Sequence, residues 1–203
     1  LPASYPAIAP FGAEDVKEWL GAMVDDCPEL VVSTSGDFNT PITAANLRCL
    51  LPNNAINDVV LNGIMSLCQV HCDQHHKSVL CCSTVLWNML RSVRNGDYGD
   101  VHFMQMRAGV IAAAEEILVP VGGLDAVTVE NINSANAATD NHWRMVVLSC
   151  LQTSQPRVLA FDPVGGNSEV LAIADTVWRW YEDVVSNHGT PPRSPSIAPI
   201  KNL

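Results

Sequence analysis

Nowhere along the 203 residues do lysines and arginines gather into a stripe, and 11 basic against 21 acidic side chains leave a formal net charge of −10. Binding to nucleic acid needs clustered cations to neutralise phosphates, so no nucleic-acid partner is expected. An acidic balance suits a partner with a basic face, or simply a well-solvated surface. Long apolar runs are missing too. None approaches the ~20 residues that cross a bilayer, each being broken by charge or Asn, so no membrane partner is expected. Leu1 to Pro10 lack the basic stretch followed by an apolar one that marks a secretory leader. Charged residues are scarce at 16%, while hydrophobic ones reach 48%; that excludes disorder as the default and supplies one sizeable core.

Cysteine is plentiful up to Cys150 and absent after it. The seven are Cys27, Cys49, Cys68, Cys72, Cys81, Cys82 and Cys150. An odd count, an adjacent pair and placement in apolar patterns argue against a disulfide framework. Reduced thiols in the cytoplasm or nucleus are expected, each packing as a small hydrophobe.

Residues 1–12 form a proline-punctuated, extended arm, and 13–203 are expected to form a single domain. Ala13 to Asp26 reads as an amphipathic helix with Val16, Trp19, Leu20, Met23 and Val24 at helical spacing. Leu30 to Ser33 is a short strand, and Thr43 caps a helix from Ala44 to Leu50. Further helices are expected over Ile56 to His71 and Val79 to Val93, with a turn or helix at Val101 to Met106 and another helix at Ala112 to Glu116. Ile117 to Val121, Arg144 to Cys150 and Val158 to Phe161 are strands, the last two joined by a turn at Gln152 to Pro156. A helix covers Val170 to Val185, and Ile197 to Leu203 starts an extended segment. The order is α+β: a helical part, then a small, mostly antiparallel sheet with flanking helices, rather than alternating β-α-β units. Met104, Met106, Trp178, Trp180 and Tyr181 are expected in the core or lining a groove.

His142 stands just before one strand and Asp162 ends the next. If the two strands pair as an antiparallel hairpin, both residues lie at the same sheet edge. There a carboxylate holds an imidazole in the tautomer that accepts a proton. The plainer alternative is a loop histidine and an Asp-Pro turn.

The order of these motifs resembles the Ulp1/SENP-type cysteine peptidases, which process ubiquitin-like proteins. The resemblance spans roughly residues 40 to 185. It rests on Ala55-Ile56-Asn57-Asp58 opening a helix, the apolar strand Ile117 to Val121, His142-Trp143 opening a strand, and a strand ending at Asp162. It implies a papain-like architecture over 13–203, incomplete at its C-terminal end, and a Cys–His–Asp mechanism without a cofactor or metal. By the same resemblance His142 is the general base and Asp162 its orienter, and Trp143 walls a narrow channel for a C-terminal Gly-Gly. Asn57 and Asp58 match the family's substrate-binding motif, where Asp58 contacts the substrate or else caps the helix at its N-terminus. Ala55 replaces the family's tryptophan, the other channel wall, and so widens the site. The nucleophile is expected beyond Leu203 or on a second chain or segment, since Cys150 precedes Asp162 within a strand. The implied partner is a ubiquitin-like protein or its conjugates. A protease-like binding module that docks such a protein without cleaving it is the alternative. Cys68, His71, Cys72, His75 and His76 offer a rival zinc pattern at i, i+4 spacing, or else a helix end with solvated histidines.

Overall fold

In a computed structural model the described residues are 13–35, 40–51, 56–92, 108–122, 143–163, 167–186 and 194–200. The expected element at Val101 to Met106, with its methionines, lies outside them. The chain divides into two compact units, Leu1–Gly63 and Ile64–Leu203.

The first unit opens with helix α1 (Ala13–Asp26), at the bounds the spacing predicts. Leu20 and Val24 are buried, whereas Val16 and Trp19 are exposed. The helix packs on α2 (Ala44–Leu47) and the 3-10 turn Arg48–Leu50. An exposed ion pair between Arg48 and Asp25 marks that contact near the C-terminal end of α1. Strands β1 (Val31–Ser35) and β2 (Thr40–Thr43) pair antiparallel. At the end of β2, Thr43 and Asn46 cap α2 reciprocally, the Thr43 N–H donating to Asn46 Oδ1 at 2.9 Å. The helix expected to reach Leu50 tightens after Leu47, because Leu51 precedes Pro52 and takes an extended conformation. Ile42, Cys49 and Val60 form a small core, Val60 lying in the first turn of α3 (Asp58–Gln74).

In the second unit α3 continues to Gln74. Its end is a Schellman motif: the Lys77 N–H donates to the Cys72 carbonyl at 3.0 Å and the His76 N–H to Asp73 at 3.2 Å. His76 pays for that geometry with a φ of 52°, in the left-handed region that favours glycine. His76→Gly is therefore expected to stabilise the fold by about 1 kcal/mol, read as a raised denaturant midpoint with unchanged slope.

The expected helix over Val79 to Val93 is a strand followed by a helix: β3 (Val79–Cys81), then α4 (Thr84–Ser92). A short apolar run such as Val79-Leu80-Cys81-Cys82 carries no periodicity to separate strand from helix. Helix α5 (Ala108–Ala113) precedes β4 (Glu116–Gly122), earlier than the helix expected at Ala112 to Glu116. Then come β5 (Trp143–Ser149), β6 (Arg157–Phe161), α6 (Asn167–Ser186) and β7 (Ser196–Ile200). The sheet order is β3-β4-β5-β6-β7, with β4-β5 and β5-β6 antiparallel and β3-β4 and β6-β7 parallel. The sheet is thus mixed, a correction to the mostly antiparallel expectation. Its edge strands join through helical crossovers: α4 and α5 lie between β3 and β4, and α6 between β6 and β7.

The core sits between one sheet face and α4, α5 and α6. Ile117, Val119, Val121, Val146, Leu148, Val158 and Ala160 alternate inward, facing Ala174, Val177, Trp178, Trp180 and Tyr181 of α6. Pro120 is tolerated because β4's pairing with β3 stops at Leu118. Beyond that point no carbonyl of β3 awaits an N–H from Pro120. Among the described residues no helix is long and apolar enough to cross a membrane.

Candidate active site

Strands β5 and β6 pair in the register Met145↔Phe161 through Ser149↔Arg157. Trp143, the first residue of β5, and Asp162, the first beyond β6, therefore come to one edge of the sheet. His142 and Ala55 lie outside the described residues.

One step beyond the Met145↔Phe161 pair, Asp162 falls opposite Arg144. The two side chains meet: Arg144 Nε donates to Asp162 Oδ2 at 2.9 Å. Only 4% of the Arg144 side chain and 6% of the Asp162 side chain remain exposed, so this is a buried ion pair and not a surface one. Arg144 occupies the inward phase of β5, in line with Val146 and Leu148. In the sequence it reads as one residue of an apolar strand. The signal was available: a cation at an inward position demands an anion, and the nearest acid in the expected hairpin is Asp162.

Trp143 is fixed from the opposite side. It pairs with Gly122 across β4-β5, and a Cβ placed on Gly122 would come within 2.8 Å of the Trp143 ring. The Gly122 carbonyl accepts a hydrogen bond from Trp87 Nε1 at 3.1 Å. Gly122 is thus held by one indole through its carbonyl while another lies against its Cα. Neither Gly122 nor Trp87 was singled out from sequence. A β-carbon here must displace backbone or ring, so Gly122→Ala is expected to move the Trp143 indole. A changed Trp fluorescence maximum, absent from a Gly122→Ala/Trp143→Phe protein compared with Trp143→Phe alone, would check this.

Asn57 and Asp58 belong to the first unit. The helix cap is Asn57: its Oδ1 accepts from the Val60 N–H at 2.9 Å, and its Nδ2 donates to the Asn46 carbonyl at 2.8 Å. Asp58 follows as the first helical residue, with Oδ1 accepting from the Val59 N–H at 3.0 Å. Its charge lies at the positive end of the helix. The capping expected of Asp58 is carried out one residue earlier, because only a residue outside the first turn can reach back to the third helical N–H.

Cys150 sits just past β5, at the end opposite Trp143, with a left-handed φ of 57°. Seven residue steps from Trp143 at about 3.3 Å place it roughly 23 Å from the edge that holds Trp143 and Asp162. It is not positioned to act with them. Of the Cys/His run, His71, His75 and His76 are exposed at the end of α3, with the His71 and His75 rings 4.4 Å apart. Among the described residues no group of three or more His, Cys, Asp or Glu side chains is arranged to hold a metal ion.

No family model matches the chain, and no curated protein matches it.

Proposed function

We propose that the chain belongs to a papain-like cysteine-peptidase domain of the Ulp1 type, processing or deconjugating a ubiquitin-like modifier. The antiparallel register of β5 and β6 carries the reading, because it sets the start of one strand and Asp162 at a common edge. His142 takes the thiol proton, and Asp162 holds its ring by accepting a hydrogen bond from Nδ1. The thiolate attacks the carbonyl of the modifier's C-terminal glycine. The amine leaves with a proton from His142, and water hydrolyses the acyl-enzyme. Trp143 walls the channel that admits the Gly-Gly tail.

The direction of β7 supports the assignment. It runs parallel to β6 with Ile200 level with Phe161, so the chain leaves the sheet beside Asp162. In this reading the nucleophile acts at that edge. With Oδ2 bonded to Arg144, the bond to the imidazole runs through Oδ1 or shares Oδ2.

That same ion pair favours a second reading, a non-catalytic binding module in which Asp162 is only the anion that neutralises Arg144. A ubiquitin-like protein bearing a C-terminal electrophile separates the two. A form carrying the nucleophile segment is expected to take the label on that cysteine, and the 203-residue chain to take none. Robust labelling of any of the seven cysteines would contradict the assignment, and binding without labelling of the longer form would establish the module.

A further inference from the structure

Away from that edge, the last turns of α3 bring thiols against β3. Cys68 and Cys72 are one turn apart on the helix, and Cys81 ends the strand. Gln69 fixes helix to strand. Its Oε1 accepts from the Cys81 N–H at 2.8 Å, and its Nε2 donates to the Val79 carbonyl at 3.0 Å and to Asp73 at 2.8 Å. The carboxamide thus occupies an N–H and a C=O of the sheet's edge strand, groups that otherwise invite pairing with another chain. Cys72 lies three residues beyond Gln69 on the same face of α3, and with α3 and β3 held together Cys72 and Cys68 are near enough to the Cys81 thiol to act on it electrostatically. All seven cysteines are reduced, with Cys68 exposed and Cys72 and Cys81 half-buried, so a small solute reaches the group.

We propose that Cys72 and Cys81 form a covalent site for low-molecular-weight disulfides, closing to an intramolecular disulfide that staples α3 to the edge strand. The inference is independent of the peptidase reading. The Cys72 thiolate attacks one sulfur of the disulfide RSSR, forming Cys72–S–S–R and expelling RS−, which takes up the proton that Cys72 lost. Cys81 then gives up its proton and attacks the Cys72 sulfur. The mixed disulfide breaks, and the second RS− leaves and is protonated. Both protein thiols are oxidised, and RSSR is reduced to two RSH.

The surroundings set the order of attack. Burial foremost, then the Cys72 and Cys68 thiols and Asp73, push the Cys81 thiol up from 9.0 to about 12, so it keeps its proton and is not the first nucleophile. Turning Cys72 into a mixed disulfide removes one of the neighbours that hold the Cys81 proton in place, easing the ionisation the second step requires. The two sulfurs then close to an S–S bond of about 2.05 Å.

The test is equilibration of the 203-residue chain in reduced and oxidised glutathione, followed by acid quench, alkylation and peptide mapping. The expected product has lost two hydrogen masses and links the peptides of Cys72 and Cys81. Cys81→Ser is expected to retain glutathione on Cys72. Cys68→Ser, altered on an exposed thiol, is expected to form the wild-type link and keeps the test valid if the other variant does not fold. Seven alkylatable thiols at every glutathione ratio would overturn the proposal, as would a link from Cys81 to Cys68 or Cys82.

Discussion

Arg144→Met is expected to cost about 3–5 kcal/mol, since it leaves a buried carboxylate without its guanidinium. For a chain of this size that corresponds to a fall in melting midpoint of roughly 6–20 °C. The double replacement Arg144→Met/Asp162→Leu is expected to recover most of the loss, because a hydrophobic pair removes the uncompensated charge along with the desolvation cost. Thermal and urea unfolding of the three proteins check both statements. A single replacement that costs less than 1 kcal/mol would mean that the pair at 2.9 Å is solvated in solution. The double variant has a second use. In the peptidase reading it folds but has lost the orienter, whereas in the binding-module reading it still docks its partner.

The second large effect concerns turnover. In a form that includes the nucleophile, His142→Ala is expected to lower kcat by about 10²- to 10⁴-fold on a ubiquitin-like C-terminal amide. Asp162→Asn is expected to lower it less, because it leaves the base in place and alters only its orientation. Part of the Asn effect will be structural, since the substitution also weakens the bond to Arg144. Measuring both variants well below their melting midpoints separates the two contributions. Equal turnover of wild type and His142→Ala would remove the catalytic role.

Much of the second unit was legible because its strands are short apolar runs bounded by turn residues. The hairpin from Trp143 to Phe161 was read to within a residue at each end, and α1 at its own bounds. The missed elements share a physical reason. β3 is three residues long and leads within two residues into α4, so its apolar run merged with the helical pattern. The parallel pairing of β7 was not legible at all, because nothing in Ser196–Ile200 specifies which strand it joins. Of the site, the edge shared by Trp143 and Asp162 followed from strand order alone. The partner of Asp162 within the described residues did not, because a His before the strand draws the pairing expectation away from the arginine two positions further on. Gly122 was equally silent. A glycine at a strand end reads as the start of a turn, and only the cross-strand register shows that it makes room for an indole.

The most direct test of the central claim is the 15N NMR signature of the His142 side chain. A carboxylate at 162 acting as orienter is expected to keep the proton on Nδ1, with a deshielded Nδ1–H resonance that disappears in Asp162→Asn. A neutral ring protonated on Nε2, or a spectrum that Asp162→Asn leaves unchanged, would contradict the pairing of the two residues.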